Sequence, residues 1–147
     1  MSLKERIQQD MKDAMRAADK PRLATIRLIL AAIKQIEVDE RKDLDDTGIT
    51  IVLDRMVKQR RESISQFEKA GRTDLVDQEA AELAIIQTYL PEPLSEGELN
   101  TLIDEAMAQT GASSIKDMGR VMALLKPELQ GRADMGAVSA MIKARLG

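Results

Sequence analysis

The sequence predicts an all-α protein of two helical subdomains: an N-terminal bundle of about four helices over residues 1–93 and a C-terminal unit of about three short helices over 94–147. Three observations carry this. Apolar residues recur at three- and four-residue intervals in segments bounded by capping residues, glycines and prolines. With one Phe, one Tyr and no Trp, a core must be built from Leu, Ile, Val, Ala and nine Met, which suits interlocking helices better than a β-sandwich. Pro91-Glu92-Pro93 cannot continue a helical hydrogen-bond ladder, so it is the best domain boundary in the chain.

The first helix opens at Ser2 and Glu5, at capping-box spacing, and carries the stripe Leu3, Ile7, Met11, Met15 and Ala18. Asp19-Lys20-Pro21 ends it and starts the second, because Asp favours a cap and Pro is tolerated in a first turn. From Pro21 to about Glu40 apolar residues crowd more than one face, which predicts the central helix of its subdomain. The charged run from Glu37 to Asp46 reads in its second half as a flexible loop. A third helix follows to Ala70 with Gly71 as its stop, and a fourth from about Thr73 to Leu90. The seam of the third, Leu53, Val57, Arg60, Ile64 and Phe67, holds an arginine, and that of the fourth, Leu75, Glu79, Leu83, Ile86 and Leu90, a carboxylate. Each answers the other. In the C-terminal unit, Ser95 and Glu98 make a second capping box, Gly111 ends that helix, and two helices joined at Gly131 run from Ser113 to Leu146, the last capped by Asp134. Gly119 breaks the helical rule at about 1 kcal/mol relative to Ala, which predicts a close approach to its backbone.

Composition excludes several chemistries. Without cysteine or histidine there is no disulfide, no thiolate nucleophile and no familiar zinc site, so neither metal nor cofactor is expected. No apolar leader or membrane-length run is present, and a cytoplasmic location without membrane association is the expectation. A formal charge of −3 with a third of the residues charged describes a solvated surface, and no DNA partner is expected.

Two constellations remain. Lys58, Arg60 and Arg61 face Glu79 and Glu82, either as a polar pocket in which an arginine binds an anion and a carboxylate moves protons, or as an ion-pair network fixing helix register; the second is preferred because no nucleophile lies nearby. In the C-terminal unit Lys116, Arg120, Arg132 and Lys143 are candidate RNA contacts, the first three able to converge on one phosphate. From Leu94 onward six Lys plus Arg face seven Asp plus Glu, so affinity must come from placement and not from bulk charge. Tyr89 reads as a packed aromatic at a helix end in preference to a base-stacking platform.

The blocks R-L-A-T-I-R-L-I-L-A-A-I-K (Arg22 to Lys34), V-K-Q-R-R-E-S-I (Val57 to Ile64), A-G-R-T-D-L, E-A-A-E, Y-L-P, K-D-M-G-R-V-M (Lys116 to Met122) and G-R-A-D, in this order, resemble the YqeY family over essentially the whole chain. The resemblance implies two helical subdomains, the second similar to the tail domain of the B subunit of the tRNA-dependent amidotransferase, a tail that contacts tRNA. The tail-like pattern falls on Lys116, Gly119, Met122, Gly131, Asp134, Val138, Lys143 and Leu146, and makes close helix packing the expected role of Gly119. The resulting expectation is a non-catalytic accessory protein whose partners are tRNA, an aminoacyl-tRNA synthetase or an amidotransferase. The alternatives are a carbon–nitrogen ligase activity using glutamine as amide donor, and a protein-interaction module docking through the exposed face of the second or third helix.

Overall fold

The structure is a computed structural model that describes residues 1–129 and 131–147. Among the described residues it is all-α, with seven helices, one 3₁₀ turn and no strand. Two compact units divide at Leu90 and Pro91.

The N-terminal unit consists of α1 (Leu3–Arg16), α2 (Lys20–Glu40), α3 (Asp46–Lys69) and α4 (Thr73–Gln87). Each start has a physical cause. The Ser2 hydroxyl accepts from the Glu5 N–H, Asp19 from Arg22 and Asp45 from Gly48, satisfying amides that a helix leaves open. Buried Ile7, Ile26, Ile29, Ile33, Ile49, Leu53 and Ile86 fill the space between the four helices. β-Branched isoleucines hold few rotamers, so they lose little freedom when ridges of one helix enter grooves of the next. α2 packs on α1, α3 and α4, while α3 and α4 lie against each other along their lengths.

Several boundaries move. The stripe of α1 drifts as a 3.6-residue period requires: Ala14 is buried and Met15 is half exposed, and Ala18 lies outside the helix. α4 stops at Gln87, three residues short of Leu90, and continues to Tyr89 and Leu90 through turn hydrogen bonds. α2 is packed on three sides as a central helix, yet Leu28 and Val38 remain 46% and 59% exposed on the fourth.

The loop after α2 is fastened. Glu37, on the buried face of α2 four residues after Ile33, accepts from Lys4 Nζ at 2.9 and 3.0 Å and from the Leu44 N–H at 2.9 Å. Asp46 accepts from the Leu3 N–H at 3.0 Å. The start of α1, the end of α2 and the start of α3 are thereby pinned by two carboxylates, Glu37 and Asp46.

The C-terminal unit holds α5 (Glu96–Thr110), the 3₁₀ turn Ile115–Asp117, α6 (Met118–Leu129) and α7 (Met135–Leu146). Its core is Ile103, Val121, Leu125, Leu129, Val138 and Ile142, with methionines packed around them. The Ser95–Glu98 capping box forms, Gly111 ends α5 at φ 64°, and Asp134 caps α7 through the Gly136 N–H. Gly119 corrects an expectation. It is exposed, and a Cβ built on it would meet nothing within 4 Å, so no packing within the described structure requires glycine there.

Ala18 ends α1 in the left-handed region at φ 53°, where a Cβ crowds the following carbonyl. Ala18→Gly removes that clash, and it should raise stability by about 1 kcal/mol in urea unfolding despite alanine's better helix propensity. A neutral or negative change would show that the strain is not present in solution.

Candidate functional site

Arg60 lies on α3 in the seam expected to be apolar, 17% exposed. Its Nε is 2.8 Å from Glu82 Oε2 and 3.2 Å from Glu79 Oε2, both on α4 and 17% and 22% exposed respectively. The two glutamates, three apart, share one helix face. Glu82 takes the hydrogen bond, whereas buried Glu79 Oε2 is held by charge alone, with no hydrogen-bond partner among the described residues. One cation between two carboxylates locks α3 against α4, with the guanidinium Nε engaged by the protein's own charges.

Lys58 and Arg61 do not join the cluster. Both are exposed, because two residues before and one after Arg60 point about 160° and 100° away around a 3.6-residue helix. The polar pocket expected from five charges is thus a three-residue cluster. It contains no hydroxyl, thiol or amine to act as a nucleophile, and among the described residues no group of acidic side chains is arranged to hold a metal.

A second buried group centres on Tyr89, packed at a helix end as expected, and its partner Asp10 escaped sequence reasoning. Tyr89 is 5% exposed and donates its hydroxyl to Asp10 Oδ2 at 2.6 Å, with Arg6 stacked 5.0 Å over the ring and donating to the Thr88 carbonyl at 3.1 Å. Burial, and then the bond to the Asp10 carboxylate, push the phenol far above its usual range. The ring is packed and unavailable for stacking on a base. Glu37 escaped too, although a carboxylate at the 3–4 spacing of Ile26, Ile29 and Ile33 was the same signal that exposed Glu79.

In the C-terminal unit the candidate cations separate. Asp117 accepts from the backbone N–H groups of Ser113 and Ser114 and pairs with Arg120. The Ser113 N–H, then Arg120 and the Ser114 N–H, hold its carboxyl down to about 2. Arg132 lies beyond the opposite end of α6, whose last residue Leu129 is already about 13.5 Å along the axis from Arg120 at 1.5 Å per residue, so Lys116, Arg120 and Arg132 do not converge on one phosphate. Arg132 instead donates to the Glu92 carbonyl at 3.1 Å, while its own carbonyl accepts from Leu94 at 2.9 Å, tying the Pro91–Pro93 segment to the α6–α7 turn. Arg145, not singled out in the sequence, bonds Asp104 and Asn100 on α5. Lys116 and Lys143 are exposed, with no ion pair among the described residues.

These features define a class: a helical protein whose inward charges are spent on one another and whose free cations stand at the surface. The chain belongs to the Yqey-like protein family, whose sequence profile matches residues 4–146. It is similar to fungal proteins named "Altered inheritance of mitochondria protein 41, mitochondrial". Identity is 34% with that of Lachancea thermotolerans, over 95% of this chain and 76% of the relative. For Pyrenophora tritici-repentis it is 32%, over 97% and 80%. The relative from Eremothecium gossypii is 46% identical over 57% of this chain, a match that spans 46% of the relative's length. These names overturn the cytoplasmic expectation, which rested on the lack of an apolar leader and of a membrane-length run. Neither property separates one aqueous compartment from another.

Two outcomes test the charge placement. Arg60→Ala leaves two carboxylates facing each other, and because water reaches about a fifth of each, the loss should be about 2 kcal/mol, below that of a fully buried pair. An unchanged denaturation midpoint would remove the cluster's structural role. For Glu37, the Lys4 ammonium and then the Leu44 N–H lower the folded carboxyl, so its contribution is present above the unfolded value, about 4.3, and is lost as pH falls through the lower folded value. Glu37→Gln should therefore lower the melting temperature at pH 7, and the gap to the parent should close on acidification below about pH 4. A gap independent of pH would refute the charge origin.

Proposed function

We propose that the protein is a non-catalytic accessory protein that associates with tRNA, or with the machinery that charges or amidates it, through its C-terminal unit. The carrying observation is that the C-terminal unit, the one similar to a tail that contacts tRNA, presents Lys116 and Lys143 exposed and without an ion pair among the described residues. The resemblance of that unit to an amidotransferase tail domain supports the same direction. Carbon–nitrogen ligase activity of the chain itself has less support, because the one sunken charge cluster offers nothing that could attack an amide.

With Arg120 and Arg132 already engaged, few cations are left for phosphates, so tRNA binding should be weak and its salt dependence shallow. Each phosphate contact contributes about −0.7 to −0.9 to the slope of log K against log salt, and two or three contacts predict roughly −2. Electrophoretic mobility shifts of bulk tRNA over a salt series measure this. Lys116→Glu together with Lys143→Glu should abolish the shift without altering the thermal melt. No shift at low salt, or one that survives the double variant, would count against the reading.

A further inference from the structure

The outward face of α2 carries an arrangement that neither the fold nor the proposed function uses. Lys20, Arg27, Lys34 and Arg41 are spaced seven apart, and all four are exposed. Seven residues at 1.5 Å make about 10.5 Å per step, so the cations run in a line about 30 Å long on a flank of the helix, about 100° around from buried Ile26, Ile29 and Ile33. None of the four forms an ion pair or side-chain hydrogen bond among the described residues. Beside them runs a second line, Ala24, Leu28, Ala31, Gln35 and Val38, at spacings of four, three, four and three. Its largest members are the half-exposed Leu28 and Val38.

This is the pattern of one half of a coiled coil, with an apolar seam at a and d and a cation at every g position. The unit has not paired it. Ala24 borders a groove of about 320 Å³ between α2 and α4, lined also by Ala81 and Ile85. Lys34, Val38 and Arg41 line a hollow of about 300 Å³ at the other end. Both leave room for side chains arriving from outside.

We propose that the α2 face docks an amphipathic helix of a partner protein, with apolar residues at 3–4 spacing and acidic residues along the edge that meets Lys20, Arg27, Lys34 and Arg41. Charge complementarity selects this occupant. A second copy running antiparallel would oppose the same four cations, and a parallel one would set them against Ala32, buried Thr25 and Asp39, which is already bonded to Gln35. A nucleic acid would set phosphates against Leu28 and Val38, and the face has no aromatic ring on which a base could stack. An anionic membrane calls for bulky apolar residues, and three of the five seam residues are alanine or glutamine. At the outer C-terminal end of α2, Asp39 is occupied by Gln35 and Glu40 by Lys42, and exposed Asp43 is the carboxylate that shares the hollow with Lys34 and Arg41. The surface belongs to the N-terminal unit and uses none of the residues invoked for tRNA, so it stands or falls independently of tRNA binding.

The test uses the full chain and a labelled four-heptad peptide with Leu at a and d and Glu at e and g, read by fluorescence anisotropy against the same peptide with Lys at e and g. The acidic peptide should bind and the basic one should not. Arg27→Glu with Lys34→Glu should weaken acidic-peptide binding by at least about tenfold and confer binding of the basic peptide. Leu28→Asp should weaken it as well, with an unchanged melt, because the seam contributes alongside the charges. The proposal is overturned if the two peptides bind equally or not at all. It is also overturned if Leu28→Asp has no effect, which would reduce the contact to bulk charge, or if Arg27→Glu with Lys34→Glu spares the peptide and abolishes binding of tRNA or phosphatidylserine vesicles.

Discussion

The rest of the N-terminal unit depends on how α2 is turned. Ile26, Ile29 and Ile33 must be buried against three neighbouring helices, and no aromatic side chain is available to fill a gap if they are not. Once that face points inward, Glu37 follows it into the interior and needs Lys4 and the Leu44 amide. Lys20, Arg27, Lys34 and Arg41 are carried to solvent by the same rotation. A single packing decision thus fixes the ends of α1 and α3 and creates the charged outer face.

The two units handle charge differently. In the N-terminal unit, sunken carboxylates are matched by cations from other helices, Arg60 for Glu79 and Glu82 and Lys4 for Glu37. Such pairs give little net stability over an apolar replacement, but they penalise any register that separates them. In the C-terminal unit Arg120 and Arg145 pair with Asp117 and Asp104, each pair with one member more than half exposed, and cations remain open on both units. Screening by solvent makes those weak as structural elements and available for encounters.

Gly119 illustrates how an expectation fails. A glycine inside a helix costs stability, and the resemblance to a tail domain made close packing its natural reason. The structure places it exposed with open space around its missing Cβ, so no neighbour among the described residues makes the close approach.

By itself the sequence determined the all-α class, the seven helices and most of their ends, because capping oxygens, glycines at positive φ and prolines act within a few residues of where they stand. It also showed that an arginine and a carboxylate interrupt facing seams. Only the tertiary structure decided that Arg60 serves two glutamates while Lys58 and Arg61 point away, that Tyr89 meets Asp10 seventy-nine residues distant, and that Arg132 is held at the far end of α6 from Lys116 and Arg120. These are contacts between elements remote in sequence. Helical periodicity states which residues share a face, and it takes the packing of one helix on another to state what that face meets.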